Sequence, residues 1–216
     1  MQSLASAACL ALCALASLLW PGAAAAQAPQ ATKVGGVVTV ESLTPQEREM
    51  LALANEFSVH CEQAIEKWIA TSETTEDKVF SFLYFPIPRT DPAKFHTAWD
   101  ALSDRDIQPI EEGLLSRSSA IAYTVLVDRF GYLPTHNQRY SQPLTGNLAV
   151  DLVNNRTKRI FGDKTGLSAA RSTAPFYIQQ YQRDTGEVMA DLSVPVTVRG
   201  RHFGAVRIGY RPVDGR

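Results

Sequence analysis

Residues 134–143 read PTHNQRYSQP and place His136, Asn137, Arg139, Tyr140 and Ser141 in one short run. Together they offer a titratable ring, an amide, a guanidinium fork, a phenol and a hydroxyl. Tyr132 stands just upstream in DRFGY, and later segments add Arg156, within NNRTKR, and Arg171. The run has no nucleophile paired with a base, so the chemistry it suggests is binding of a small polar or anionic ligand, not turnover. Structural uses compete at several positions. Asn154 and Asn155 can cap a turn, Lys158 and Arg159 can be solvated, and Arg156 or Arg171 can tie one segment to another.

Catalytic signals are weak elsewhere. His60 and Cys61 are neighbours on a predicted helix, so their side chains point about 100° apart and form no dyad. Cys61 lies on an apolar stripe and reads as a buried structural thiol. The sequence contains no G-x-S-x-G, H-E-x-x-H or phosphate loop. The expectation is a protein that is not an enzyme. The histidines at 60, 96, 136 and 202 make no close pair, which points to no metal site. Without a C-x-x-C-H motif, covalent haem attachment is excluded. Non-covalent haem b on a lone histidine stays open, with His136 the best-placed ligand.

The elements that must hold these residues come after an uncharged run from Leu4 to Trp20, ended by Pro21-Gly22 and an Ala-rich stretch. This reads as a signal peptide over 1–26, cleaved to leave a periplasmic or secreted chain; a retained anchor is the rival reading. The mature chain would keep Cys61 as its single thiol, so no internal disulfide is expected. Charge is uneven. Residues 41–112 hold 15 acidic and 6 basic side chains, whereas residues 130–175 hold 2 acidic and 6 basic. That imbalance lacks the long basic clusters of a nucleic-acid binder.

A leader over 27–43 precedes LTPQE, where Thr44, Pro45 and Glu47 predict a capping box. Apolar residues from Met50 to Trp68 then recur at three- and four-residue steps, predicting a long amphipathic helix that could also pair in a homodimer. DPAKFHTAWDAL (91–102) predicts another helix, capped by Asp91. From Ala120 the period changes. AIAYTVLVD, YLPTHN, FYIQQYQRD, EVMADLSVPVTV and RHFGAVRIGY predict five strands, joined by turns at DRFG, Thr185-Gly186 and Arg199-Gly200. The fold class is α+β: a five-stranded antiparallel sheet with a helical insert and a long N-terminal helix, divided into a helical region (44–118) and a sheet module (119–212).

The blocks VDRFGYLPTHNQRYSQP, NRTKRIFGDKTGLSAAR, PFYIQQYQRDTGE and DLSVPVTVRGRHFGAVRIGY, taken together over about residues 120–211, resemble the PAS/Cache-like sensory region of proteobacterial methyl-accepting chemotaxis proteins. The resemblance implies a domain that senses a small ligand for chemotaxis-type signal transduction. After Tyr210 six residues follow, without a HAMP segment or signalling coiled coil. The expected mode is therefore a stand-alone exported chain acting through a membrane receptor or histidine kinase. A haem-based redox or gas sensor and a ligand-free periplasmic adaptor are the alternatives.

Overall fold

Thr44 starts the longest helix from a closed capping box. Its side chain accepts the Glu47 N–H at 3.2 Å, and the Glu47 carboxylate accepts the Thr44 N–H at 2.7 Å. The computed structural model describes residues 31–32, 40–182 and 187–213. The expected signal peptide, most of the leader and the turn at Thr185-Gly186 lie outside the described residues. In chain order the elements are β1 (Ala31–Thr32), α1 (Pro45–Ala70), α2 (Glu76–Val79), β2 (Phe85–Ile87) and β3 (Lys94–His96). Next come α3 (Asp100–Asp106), α4 (Gln108–Leu115), β4 (Ile121–Asp128), β5 (Tyr132–Leu133), α5 (Leu148–Asn154) and β6 (Arg159–Ile160). The chain ends with α6 (Lys164–Arg171), β7 (Tyr177–Gln182), β8 (Val188–Val198) and β9 (Arg201–Tyr210).

Four long antiparallel strands, in the order β7-β8-β9-β4, make the main sheet, and the two-residue β1 lies along the outer edge of β7. The predicted second strand, YLPTHN, does not join it. Tyr132 and Leu133 pair instead with Ile160 and Arg159 of the insert. Gly131 is the cause: at φ 83° it turns the chain out of the sheet, and its carbonyl accepts the Phe161 N–H at 2.8 Å. The predicted helix over 91–102 is also corrected. Lys94–His96 pairs with Phe85–Ile87 as a hairpin, and the helix begins only at Asp100. The Phe95 N–H, which a helix would have used internally, is taken by the Lys158 carbonyl at 2.9 Å. A tertiary partner thus outcompetes the local helix signal.

The sheet has two differently covered faces. On one, Met50, Leu53, Ala54, Phe57, Cys61, Ile65 and Trp68 of α1 pack into a single core with Leu192, Val194, Val196, Val206 and Ile208. That spends the apolar stripe inside the chain. Val59 is the large apolar side chain that α1 leaves exposed. Polar ties fix the packing. Ser58 donates to the Pro195 carbonyl at 2.8 Å, while Glu62 and Glu66 accept the N–H groups of Thr197 and Arg199 at the β8–β9 turn. Arg199 and Gly200 turn there with φ of 51° and 72°, the two positive values a tight hairpin requires. The other face carries a smaller cluster of Val125, Val127, Leu133, Ala170 and Ala205, roofed by the insert between β4 and β7.

Glu111 on α4 is fully buried beside β4. Its Oε1 accepts the Leu126 N–H at 3.1 Å, and Oε2 has no partner among the described residues. Burial raises its pKa well above 4.5; the Leu126 bond offsets this only in part, and Glu112 and Asp104 push in the same direction as burial. The folded chain therefore keeps a proton that the unfolded chain releases above pH 4.5. Stability linked to this group is present below that value and is lost as pH rises through the folded pKa. Glu111→Gln keeps the acceptor and removes the titration. Urea denaturation should show it within about 1 kcal/mol of the parent at pH 4.5 and increasingly more stable than the parent as pH rises toward 8. Gly131→Ala tests the turn, because an added Cβ would overlap the Phe161 carbonyl and the φ disfavours any side chain. The same measurement should find it destabilised by about 1–3 kcal/mol.

Candidate functional site

β4 is an end strand of the sheet, so one row of its backbone groups has no strand partner. The HNQRY run meets this need. Asn137, fully buried, accepts the Thr124 N–H on Oδ1 at 2.9 Å and donates from Nδ2 to the Thr124 hydroxyl at 3.2 Å. Arg139 and the Tyr140 hydroxyl both donate to the Ala122 carbonyl. The Arg139 guanidinium also lies over the Tyr140 ring, 5.0 Å from its centroid. Glu111 completes the row at Leu126. Ser141 donates to the His136 carbonyl at 3.0 Å, and Gln108 donates to the same oxygen at 2.9 Å. Tyr132 points the other way, into the main core, where its hydroxyl bonds to the Phe95 carbonyl and the Asp100 carboxylate. Arg171 is exposed and donates to the Arg129 carbonyl at 3.3 Å. The expected convergence of Arg139, Tyr140 and Arg171 on one cavity is not what the structure has: all eight candidates bond to the fold itself, and two of them, His136 and Arg156, also line a cavity.

His136 and Arg156 do meet in a cavity, of about 110 Å³, between the sheet and the insert. Its floor is Tyr123, Val125 and Val127, successive residues on one face of β4, with Arg207 of β9 and Tyr181 of β7. Its roof is Leu133, His136, Arg156 and Phe161, and it closes at Asp163, Thr165 and Gly166 where α6 begins. Asp163 caps that helix, its Oδ1 accepting the Gly166 N–H at 3.0 Å. Arg156 lies over the Phe161 ring, 5.0 Å from its centroid. Tyr123 crosses the sheet above Gly209, where any Cβ would overlap its ring, and its hydroxyl bonds to that of Tyr181.

Electrostatics give the cavity its character. Arg207 is buried, and its Nε and Nη2 both donate to one oxygen of Asp191, whose side chain is fully buried on β8. Burial works against the guanidinium's charge, and Asp191 more than restores it. Gln179 links this pair to the insert by donating to Asp191 and, at 2.9 Å, to the Thr165 carbonyl. His136 is 3% exposed. Burial, then Arg156 and Arg139, hold its pKa well below 6.5, so the ring is neutral. Its Nδ1 accepts the Asn137 N–H at 2.7 Å, which leaves the proton on Nε2 as a fixed donor. Burial raises the Tyr123 phenol well above its ordinary value and keeps it a donor too.

Most of the lining escapes inspection of motifs. Arg207 carried a usable signal, a lone charge inside the apolar strand FGAVRIGY, and the alternation of Tyr123, Val125 and Val127 marked one strand face. The other chemistries weighed have little to stand on. Cys61 is fully buried and burial pushes its thiol pKa well up, so it is no nucleophile, while His60 is exposed. His96 pairs with Asp100, and His202 donates to the Ala170 carbonyl. Among the described residues, no group of three or more His, Cys, Asp or Glu side chains could hold a metal ion.

The fold and the cavity define an α+β domain with a small, cation-lined pocket beneath an insert. No protein-family model matches the sequence, and no curated protein matches it. Among solved structures, an extracellular ligand binding receptor from Desulfohalobium retbaense DSM5692 is similar at 14% identity with a TM-score of 0.34. The similarity covers 79% of this chain and 26% of that one, so the chain spans about a quarter of the receptor's length. Among the described residues, no helix is long and apolar enough to cross a membrane.

The His136 environment has a measurable consequence. Below pH 6.5 the unfolded ring gains a proton that the folded ring refuses, so stability present above 6.5 is lost as pH falls through the folded pKa. His136→Asn keeps an acceptor for the Asn137 N–H without titrating. It should flatten the decline in unfolding free energy between about pH 6.5 and 5. Asn137→Ala leaves the Thr124 N–H buried and unpaired, and should cost about 1–3 kcal/mol at any pH in that range.

Proposed function

We propose that this chain is a non-catalytic sensory domain that binds a small polar or anionic molecule in the cavity between sheet and insert. One observation carries the reading. A cavity walled by Val125, Val127, Leu133 and Phe161 is lined also by Arg156, Arg207 and His136, the mixture of apolar wall and few polar groups that small-molecule sites use. The donors are held by the fold before any ligand arrives, which lowers the ordering cost of binding. The sequence resemblance supports the rest of the proposal: an exported chain, working in the periplasm, that reports occupancy to a membrane receptor or histidine kinase of chemotaxis type.

The volume favours a metabolite over haem. Even drug-sized ligands use pockets of about 300–1,000 Å³, and the Nδ1 of His136 is already committed to Asn137. A ligand-free adaptor would have no need of two arginines and a histidine lining a cavity.

A thermal-shift screen of carboxylates, amino acids and purines tests the reading. At least one compound should raise the melting temperature, and Val127→Phe, which fills the floor, should abolish that shift while the variant stays folded. Arg139→Ala, outside the cavity, should lower stability but change the ligand's Kd by less than about twofold, roughly 0.4 kcal/mol. Silence from every compound, unchanged in Val127→Phe, would leave the adaptor as the better account.

A further inference from the structure

We propose that residues 142–154 form a membrane-docking knob, whose outer apolar side chains enter the headgroup layer of an anionic lipid surface. None of these residues lines the cavity, and the knob depends on nothing that binds there.

The knob is built inside out. Gln142 donates its N–H to the Asn154 carbonyl at 3.0 Å, and the Asn155 amide donates to the Gln142 carbonyl, which closes the neck. Asp151 is the hub within. Its carboxylate accepts the Thr145 N–H and the Thr145 hydroxyl, each at 2.8 Å, and the Gly146 N–H at 3.0 Å. Asn147 caps α5, its side chain accepting the Ala149 N–H at 3.1 Å. Of residues 142–154 Asp151 alone is buried, so a carboxylate faces in and the apolar side of α5 faces out. Leu144 is 40% exposed, Leu148 46%, Val150 39%, Leu152 38% and Val153 51%. Single exposed leucines and valines are ordinary on a surface. Here one short, fastened knob gathers all of these, and its helix presents outward the side that packing would normally cover.

Charge and shape choose the occupant. From Phe130 to Gly162 Asp151 is the single acid, and its carboxylate is turned inward. Arg159 reaches the C-terminal end of α5, donating to the Leu152 carbonyl at 3.5 Å, and Arg139 lies in the turn against which α5 rests. Neither arginine has a carboxylate partner among the described residues. A second copy docked knob to knob would bring like charges together, which disfavours self-association. The apolar patch is a few hundred Å², well under the roughly 800 Å² that each partner of a stable protein pair covers. A projecting knob would also need a matching recess in a protein, whereas a headgroup layer yields to it. An apolar tip with arginines at its base matches an anionic bilayer, which takes apolar side chains about 5–10 Å deep and attracts nearby cations.

Co-sedimentation of the full chain with vesicles tests this, using phosphatidylcholine alone and phosphatidylcholine mixed with phosphatidylglycerol. The mixed vesicles should bind at least about tenfold more tightly, a difference of about 1.4 kcal/mol, and added salt should erase that preference. Leu148→Ser with Val153→Ser should remove the binding and leave the melting temperature nearly unchanged, since both side chains are about half exposed. Arg159→Gln should weaken binding to the mixed vesicles about fivefold and leave binding to phosphatidylcholine as it was. Leu152→Trp reports insertion at the knob itself: the fluorescence it adds to that of the parent should move to shorter wavelength on mixed vesicles. Equal binding to both vesicle types would overturn the anionic surface. An unshifted added tryptophan, or a serine pair that binds as the parent does, would overturn lipid docking and assign the knob to an acidic protein partner.

Discussion

An end strand buried on its outer side must find partners for every second backbone N–H and C=O, and β4 has no strand to supply them. Four side chains do so: Glu111 at Leu126, Asn137 at Thr124, and Arg139 with Tyr140 at Ala122. Each unpaired group would cost about 1–3 kcal/mol, so the route of residues 134–141 along that edge is strongly determined. The rest follows from that route. It carries His136 over the sheet, fixes its tautomer through the Asn137 N–H, and sets the roof of the cavity. The polar run is therefore the seam beside which the cavity forms, and of its side chains His136 lines that cavity.

The second constraint is the charge on β9. Arg207 and Asp191 are buried together on neighbouring strands, and their pairing keeps polar groups in a space that apolar residues would otherwise fill. Gln179 extends the pair to Thr165 at the start of α6, so floor and roof are joined by hydrogen bonds as well as by packing. Gly209 beneath Tyr123 and Gly131 against the Phe161 carbonyl are the close approaches that let the two layers sit so near. A ligand entering here would touch strand, insert and helix at once.

The two faces of the sheet also divide the work. α1 fills one face with a continuous apolar stripe and a closed capping box, and this side has the packing of a stabilising core. The insert face carries a smaller apolar cluster and the buried Arg207–Asp191 pair. Lys94 shows how strained the insert side is electrostatically. Burial, with Arg159 and Lys158 nearby, lowers its pKa to about 8, and its ammonium reaches the Thr157 carbonyl. Cations crowd this layer because the sequence between residues 130 and 175 is short of acids.

Periodicity, caps and turn residues made much of this legible from the chain alone. The capping box at Thr44, the stripe from Met50 to Trp68, the Arg199-Gly200 turn and four long strands are local patterns, and local physics suffices to read them. The strand at Tyr132 and the helix at Asp91 are not legible there because their outcome depends on partners far away in sequence, Arg159–Ile160 for the one and the Lys158 carbonyl for the other. The candidate site divides in the same way. Sequence alone determined that His136, Asn137, Arg139 and Tyr140 occur together and are too polar for an ordinary turn. Only the tertiary structure decided that Asn137, Arg139 and Tyr140 face a strand edge while His136 joins Arg156 and Arg207 at a cavity. A side chain's role depends on which unpaired group lies within hydrogen-bond reach, and only the folded chain sets that distance.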